Sequence, residues 1–276
     1  YMSIMLAAAI DDTGEPARFR LEAGDRCPFL NGEGLCDLIL AGGEGMLCQI
    51  CRDHPRFRSF LPGRTEIGLG LCCEAAGELL LSRTAPPRLI TEGTEEPEDD
   101  EAAALLALRD DIMSTSIDRS RPLNQRMEAI LARCGAVLPA RTMGAWAEFY
   151  LGLERLDEGW TATLNILRDR GDLVDITSFR RHMAGRETEY ERLLWYFLFR
   201  HFLKAYDDGD VTGKAAFAVL SVRLLFVLGA LEYEAAGRFT LADQVELARR
   251  YSAEIEYSED NMDALFDELY CGDGET

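Results

Sequence analysis

The residues best equipped for chemistry are thiols, and they are crowded. Of the 8 cysteines in this 276-residue chain, six fall between residues 27 and 73: Cys27, Cys36, Cys48, Cys51, Cys72 and Cys73, spaced C-x8-C-x11-C-x2-C-x20-C-C. Thiolates are soft donors that select zinc, copper or iron–sulfur. Four of the six would complete a tetrahedral zinc site or an iron–sulfur cube. The spacing is neither the paired C-x2-C of a zinc ribbon nor a ferredoxin run. Glu44 stands where a C-x3-C-x2-C motif would need its first cysteine. The alternatives are buried unliganded thiols and a redox pair at Cys48 and Cys51, although the strand–helix–strand context of a thioredoxin is missing. Metal binding is expected, with all six cysteines as candidate ligands and the choice among them open. Cys134 precedes Gly135 and reads as a structural thiol; Cys271 is isolated.

Directly after Cys51 comes a basic island in an acidic chain: Arg52, His54, Arg56, Arg58 and Arg64 against Asp53. Such arginines could balance thiolate charge or hold an anionic cofactor by paired hydrogen bonds, which makes Arg52, Arg56 and Arg58 cofactor-binding candidates. They could equally be surface arginines. Arg192, Tyr196, Arg200 and Lys204 recur every four residues and read as a solvated helix face, with an anion-lining cleft as the other reading. His201 reads as a core histidine. "YSAEIEYSEDN" (251–261) sets Glu254, Glu256, Glu259 and Asp260 beside Tyr251 and Tyr257. Carboxylates attract an ammonium group and aromatic faces hold it; acids at a helix N-terminus are the plainer reading.

These groups need elements to hold them. Residues 1–83 are dense in Gly, Pro and Cys and predict a loop-rich metal-binding unit with short elements. Residues 84–101 form an acidic linker, in which six of the seven residues from Glu95 to Glu101 are acids. Residues 102–276 predict an all-helical domain. Its helices include "PLNQRMEAILARCG" ending at Gly135, one opened by a Thr240/Asp243 capping box, and one capped by Ser258. "LILAGGEGML" has the glycines of a nucleotide-binding loop without the G-x-G-x-x-G pattern, and reads as a loop around a metal. The expected fold is mainly α. "AAFAVLSVRLLFVLGALEY" (215–233) is apolar enough to span a membrane, but Arg223 at its middle makes it a core helix. A formal net charge of -20 argues against a nucleic-acid partner and suits a basic one. No basic n-region precedes the opening apolar run, so a cytoplasmic location is expected.

"RCPFLNGEGLCDLIL", "LCQICRDHPRF", "EIGLGLCCEAA", "RHFLKAYDDGD" and "YSAEIEYSEDN", in that order, resemble the flagellin lysine-N-methylase family. The resemblance implies transfer of a methyl group from S-adenosylmethionine to lysine side chains of flagellin. It also implies an iron–sulfur cluster, 4Fe-4S, in the cysteine-rich part, with zinc as the alternative. In that family a further cysteine-containing segment precedes the "CPFL" region; this chain opens at Tyr1, too late to include it, and reads as a processed or truncated product. For methyl transfer a lysine must first lose its proton, which a desolvating pocket and a nearby base or tyrosine assist. Tyr251, Glu254 and Tyr257 are the catalytic candidates. A non-catalytic, metal-stapled protein-binding module and an iron–sulfur redox protein are the competing functions.

Overall fold

The computed structural model describes residues 2–11, 18–23, 26–93 and 99–271. It is mainly helical, as expected. The chain separates into two compact units, Tyr1–His54 and Pro55–Thr276. The break between these units falls between His54 and Pro55. The reason is packing: the segment after Pro55 forms a hairpin, β3 (Arg56–Leu61) with β4 (Arg64–Leu69), and a helix, α4 (Glu74–Leu81). Leu61, Leu71 and Leu81 of this segment join the main hydrophobic core.

The first unit holds α1 (Met2–Ala9), the two-residue strands β1 (Ile10–Asp11) and β2 (Arg18–Phe19), α2 (Asp37–Gly42) and α3 (Gln49–Asp53). The glycine stretch expected as a loop is α2 followed by a 3-10 turn, Glu44–Met46. Asn31 organises the loop from Cys27 to Cys36: its Oδ1 accepts the N–H groups of Glu33 at 2.9 Å and Leu35 at 3.0 Å. This is the side-chain-to-backbone bonding that Asn offers in turns. Gly34, at φ 78°, supplies the left-handed residue the loop needs.

The second unit continues with α5 (Asp100–Ser116), α6 (Leu123–Cys134), α7 (Met143–Gly152), α8 (Glu158–Arg170), α9 (Ile176–His182), α10 (Glu187–His201), α11 (Ala205–Asp208), α12 (Val211–Ala236), α13 (Leu241–Tyr251) and α14 (Glu259–Cys271). Five residues of the expected linker, 94–98, lie outside the described residues. Its end is structural: Asp99 accepts the Ala102 N–H at 2.7 Å, caps α5, and receives Tyr206 Oη at 2.8 Å. Gly135 closes α6 at φ 66°. Thr240 and Asp243 form the capping box of α13, and Ser258 Oγ accepts the Asn261 N–H. The apolar α12 is the hub, packing against α6, α8, α9, α10, α13 and α14. Of its most apolar 18-residue window 83% is buried, so its hydrophobicity serves the core.

Between α13 and α14 the chain widens into one π turn, Ser252–Glu256. Such turns change the phase of a helix and are frequent at functional sites.

Candidate functional site

The π turn splits the acid-and-tyrosine stretch into groups with different surroundings. Tyr251 is fully buried among Trp160, Phe197 and Tyr150, with its hydroxyl 2.8 Å from Ser221 Oγ. Burial pushes its phenol well up. Glu254 is also buried; one oxygen accepts the Leu156 N–H at 2.8 Å. Burial raises its carboxyl, and the Leu156 and Asp157 N–H groups oppose that rise. Both residues tie helices together, and neither is among the residues that line the cavity described below. Tyr257 does. The three expected catalytic residues are therefore not one constellation.

Glu256, one residue before Tyr257, is the residue around which a buried polar network forms. His201 Nε2 lies 2.6 Å from Glu256 Oε1, and Tyr196 Oη donates to Oε2 at 3.0 Å. Arg200 Nε is 3.4 Å from Oε1, and its Nη1 donates to Tyr196 Oη at 2.6 Å. Burial pushes the Glu256 carboxyl up, but Arg200 and His201 outweigh it and hold the group below the usual range. Burial also takes His201 down to about 4, so its ring is neutral at pH 7. Arg192, Tyr196 and Arg200 are thus buried, which corrects the expected solvated face. The four-residue spacing was visible, but only the packing shows that it turns inward toward a carboxylate sixty residues on.

The network reaches the cysteine pair. Tyr196 Oη accepts the Leu71 N–H at 3.2 Å, and Tyr257 is hydrogen-bonded to the Cys72 thiol. Arg200 stacks over the Tyr257 ring at 4.6 Å and the Phe57 ring at 5.0 Å. Burial raises Cys72, while Tyr257 and Arg200 pull it down. Burial and the Cys72 contact push the Tyr257 phenol far above its ordinary value. Gly70 is required here: a Cβ would sit 2.0 Å from Tyr257 Oη.

Glu256 and Tyr257 open onto a cavity of about 960 Å³. Its acids are Asp208, Asp210, Glu256, Glu259, Asp263 and Asp267; Tyr257, Phe266 and Tyr270 supply the rings. From α14 come Glu259, Met262, Asp263, Phe266, Asp267 and Tyr270, one face of the helix at spacings of three and four. The acids of this face stand four residues apart in "EDNMDALFDELY". The lining already holds an amine: Lys214 Nζ sits 2.7 Å from Asp208 Oδ2 and 3.5 Å from the Phe266 ring centroid. Lys204, also on the wall, is lowered by burial and then by Arg200 and Lys214.

The other expected site residues divide between the units. Cys27, Cys36, Cys48, Cys51 and Arg52 belong to the first, and Arg56, Arg58, Cys72 and Cys73 to the second. Arg52 Nη2 donates to Leu47 O at 3.3 Å, and Arg56 and Arg58 are exposed on β3. Cys48 and Cys51 approach to 3.4 Å between sulfurs. A hydrogen bond from the Cys51 backbone N–H lowers Cys48. Burial, then Cys48, Cys27 and Cys36, push Cys51 up to about 11. Cys51 is therefore the thiol on which the other three of the first unit act. Among the described residues, however, no group of three or more His, Cys, Asp or Glu side chains is arranged to hold a metal ion.

Fold and site together define a helical protein with an acid- and aromatic-lined cavity suited to an alkylammonium group. Residues 141–272 match the FliB lysine N-methylase C-terminal domain, so this segment of the chain is similar to the flagellin lysine-N-methylase family. Every residue lining the cavity falls inside the matched segment. No curated protein and no solved structure matches the chain.

Proposed function

We propose that the protein is a lysine N-methyltransferase acting on flagellin in the cytoplasm, and that the acidic cavity receives the target lysine. The observation that carries this reading is the cradle around Lys214, where carboxylate and ring hold an ammonium group inside the matched segment. A lysine entering beside it would meet Glu259, Asp263 and Asp267 as charge partners and Tyr257 and Tyr270 as ring faces. Carboxylates favour the charged amine and desolvation favours the neutral one. Tyr257 stays protonated near neutral pH, so its hydroxyl orients the amine nitrogen and does not take its proton. Glu256, held ionised by Arg200, is the carboxylate nearest that hydroxyl in sequence and at the same wall. The amine's proton leaves to solvent through the cavity mouth.

S-adenosylmethionine would supply the sulfonium methyl: the lysine nitrogen bonds to the methyl carbon as the carbon–sulfur bond breaks, and the electron pair stays on sulfur. A metal or iron–sulfur cluster would use Cys27, Cys36, Cys48 and Cys51, the thiols that share a unit; the donor set is not closed among the described residues, and no step is routed through it.

The test is methylation of purified flagellin, followed by mass spectrometry, with the wild-type chain and the double variant Asp263→Asn, Asp267→Asn. Loss of two exposed carboxylates is expected to lower kcat/KM at least about tenfold, mainly through KM. An unchanged KM would remove the cavity from the reaction. Flagellin binding without methyl transfer would make the protein a binding module.

A further inference from the structure

A second cavity, of about 890 Å³, lies in the second unit between the β3–β4 hairpin, residues 88–93 and α10. Its volume is in the range of small-molecule sites. Only Trp195 and Phe199 of its lining fall within the matched segment. The two rings, one turn apart on α10, lie nearly parallel, with centroids 5.3 Å apart and an angle of 19°. Ile67 and Ile90 line the same space while 56% and 84% exposed, large apolar groups with open faces. Aromatic and branched apolar walls of this kind suit a flat ring.

The cavity also has a preorganised cation. Arg109 is fully buried and donates through Nη1 to Glu66 Oε2 at 2.7 Å. Glu66, itself buried, holds Arg64 Nη2 at 2.8 Å from its other oxygen, Oε1, without an aligned hydrogen bond. Arg64 is thereby fixed at the cavity with further N–H groups to offer, in the fork geometry that suits carboxylate or phosphate. Arg88 adds a second guanidinium to the lining. Where the segment from residue 84 leaves α4 it is pinned: Arg119 Nη2 donates to Thr84 O at 2.6 Å, and Arg192 Nη2 to Ala85 O.

We propose that this cavity binds an adenine nucleoside carrying an anionic end, its ring against Trp195 and Phe199 and its anion on Arg64. Both S-adenosyl amino acids, through a carboxylate, and adenine nucleotides, through phosphate, have this chemistry. Naming the S-adenosyl compound as the occupant rests on the methyltransferase reading; the site itself does not.

The full chain offers a direct readout. Trp146 and Trp160 are buried to 2% and 0% exposure, which leaves Trp195 as the tryptophan beside a cavity. S-adenosylhomocysteine, ADP and adenosine are titrated, with tryptophan emission and calorimetry as readouts. Saturable quenching by at least one anionic compound is expected. Arg64→Ala should weaken the anionic compounds about tenfold or more and adenosine hardly at all, the size of one charged hydrogen bond. Trp195→Leu should weaken all three by calorimetry, with helicity checked by circular dichroism. No saturable binding of any of the three, or binding indifferent to both substitutions, overturns the proposal. ADP binding without S-adenosylhomocysteine binding keeps the site and assigns it to nucleotides. S-adenosylhomocysteine binding with no methylation keeps the site and removes the methyltransferase reading.

Discussion

The two units solve the problem of stability by different means. In the second, α12 is wrapped by six helices, and Trp160, Phe179, Phe197 and Phe217 are fully buried. In the first, Phe29 and Leu38 are the large apolar side chains buried among the described residues, while Leu21, Leu30, Leu35, Ile39, Leu40 and Ile50 stay exposed. A unit with so little core is held by hydrogen-bonded loops such as that of Asn31, and is the kind that gains from a metal or covalent staple. Four of the six clustered cysteines, Cys27, Cys36, Cys48 and Cys51, lie in this unit. The comparison teaches that a polar group carries different weight in the two units: central to a core in one, one of many solvated contacts in the other.

The sharpest way to break this contrast is at Glu256. Glu256→Gln leaves Arg200 without its buried counter-charge and is expected to cost about 3–5 kcal/mol in urea unfolding. Glu33→Gln, exposed in the first unit, should stay within about 0.5 kcal/mol. Gly70→Ala comes next: its Cβ must displace Tyr257 or Arg200, at a cost of about 1–3 kcal/mol, with the Tyr257–Cys72 hydrogen bond lost. The nearby thiol should then alkylate faster, which mass spectrometry reads.

A smaller effect depends on pH. Glu232 is raised to about 7 by burial, with Asp243 adding to it. The folded chain keeps a proton there that the unfolded chain releases near its ordinary, lower value. This group therefore costs stability as pH rises from about 4.5 to about 7, and the full cost remains above. Glu232→Gln should raise Tm by about 2–4 °C at pH 8 and by little at pH 4.5. His201 has the opposite slope: its stabilising neutrality is complete above about 6.5 and lost as pH falls toward about 4. The smallest expected change in the helical unit comes from Cys48→Ser with Cys51→Ser. Any iron or zinc that co-purifies should fall severalfold by elemental analysis. The main melting transition should keep its midpoint, because the core of the second unit contains neither residue.

Sequence alone determined the mainly helical class, the caps at Thr240 and Ser258, the Gly135 stop and the burial of α12, because capping and apolar patterning are local signals. It also marked the stretch from Tyr251 to Asn261 as rich in acids and rings. Tertiary structure decided what each of those residues does. The π turn sent Tyr251 and Glu254 inward and Glu256 and Tyr257 to the cavity, a change of phase that no residue spacing announces. It also brought Arg200, His201 and Tyr196 around Glu256. Partners more than fifty residues apart are matched by helix packing, and the chain carries no local record of that packing.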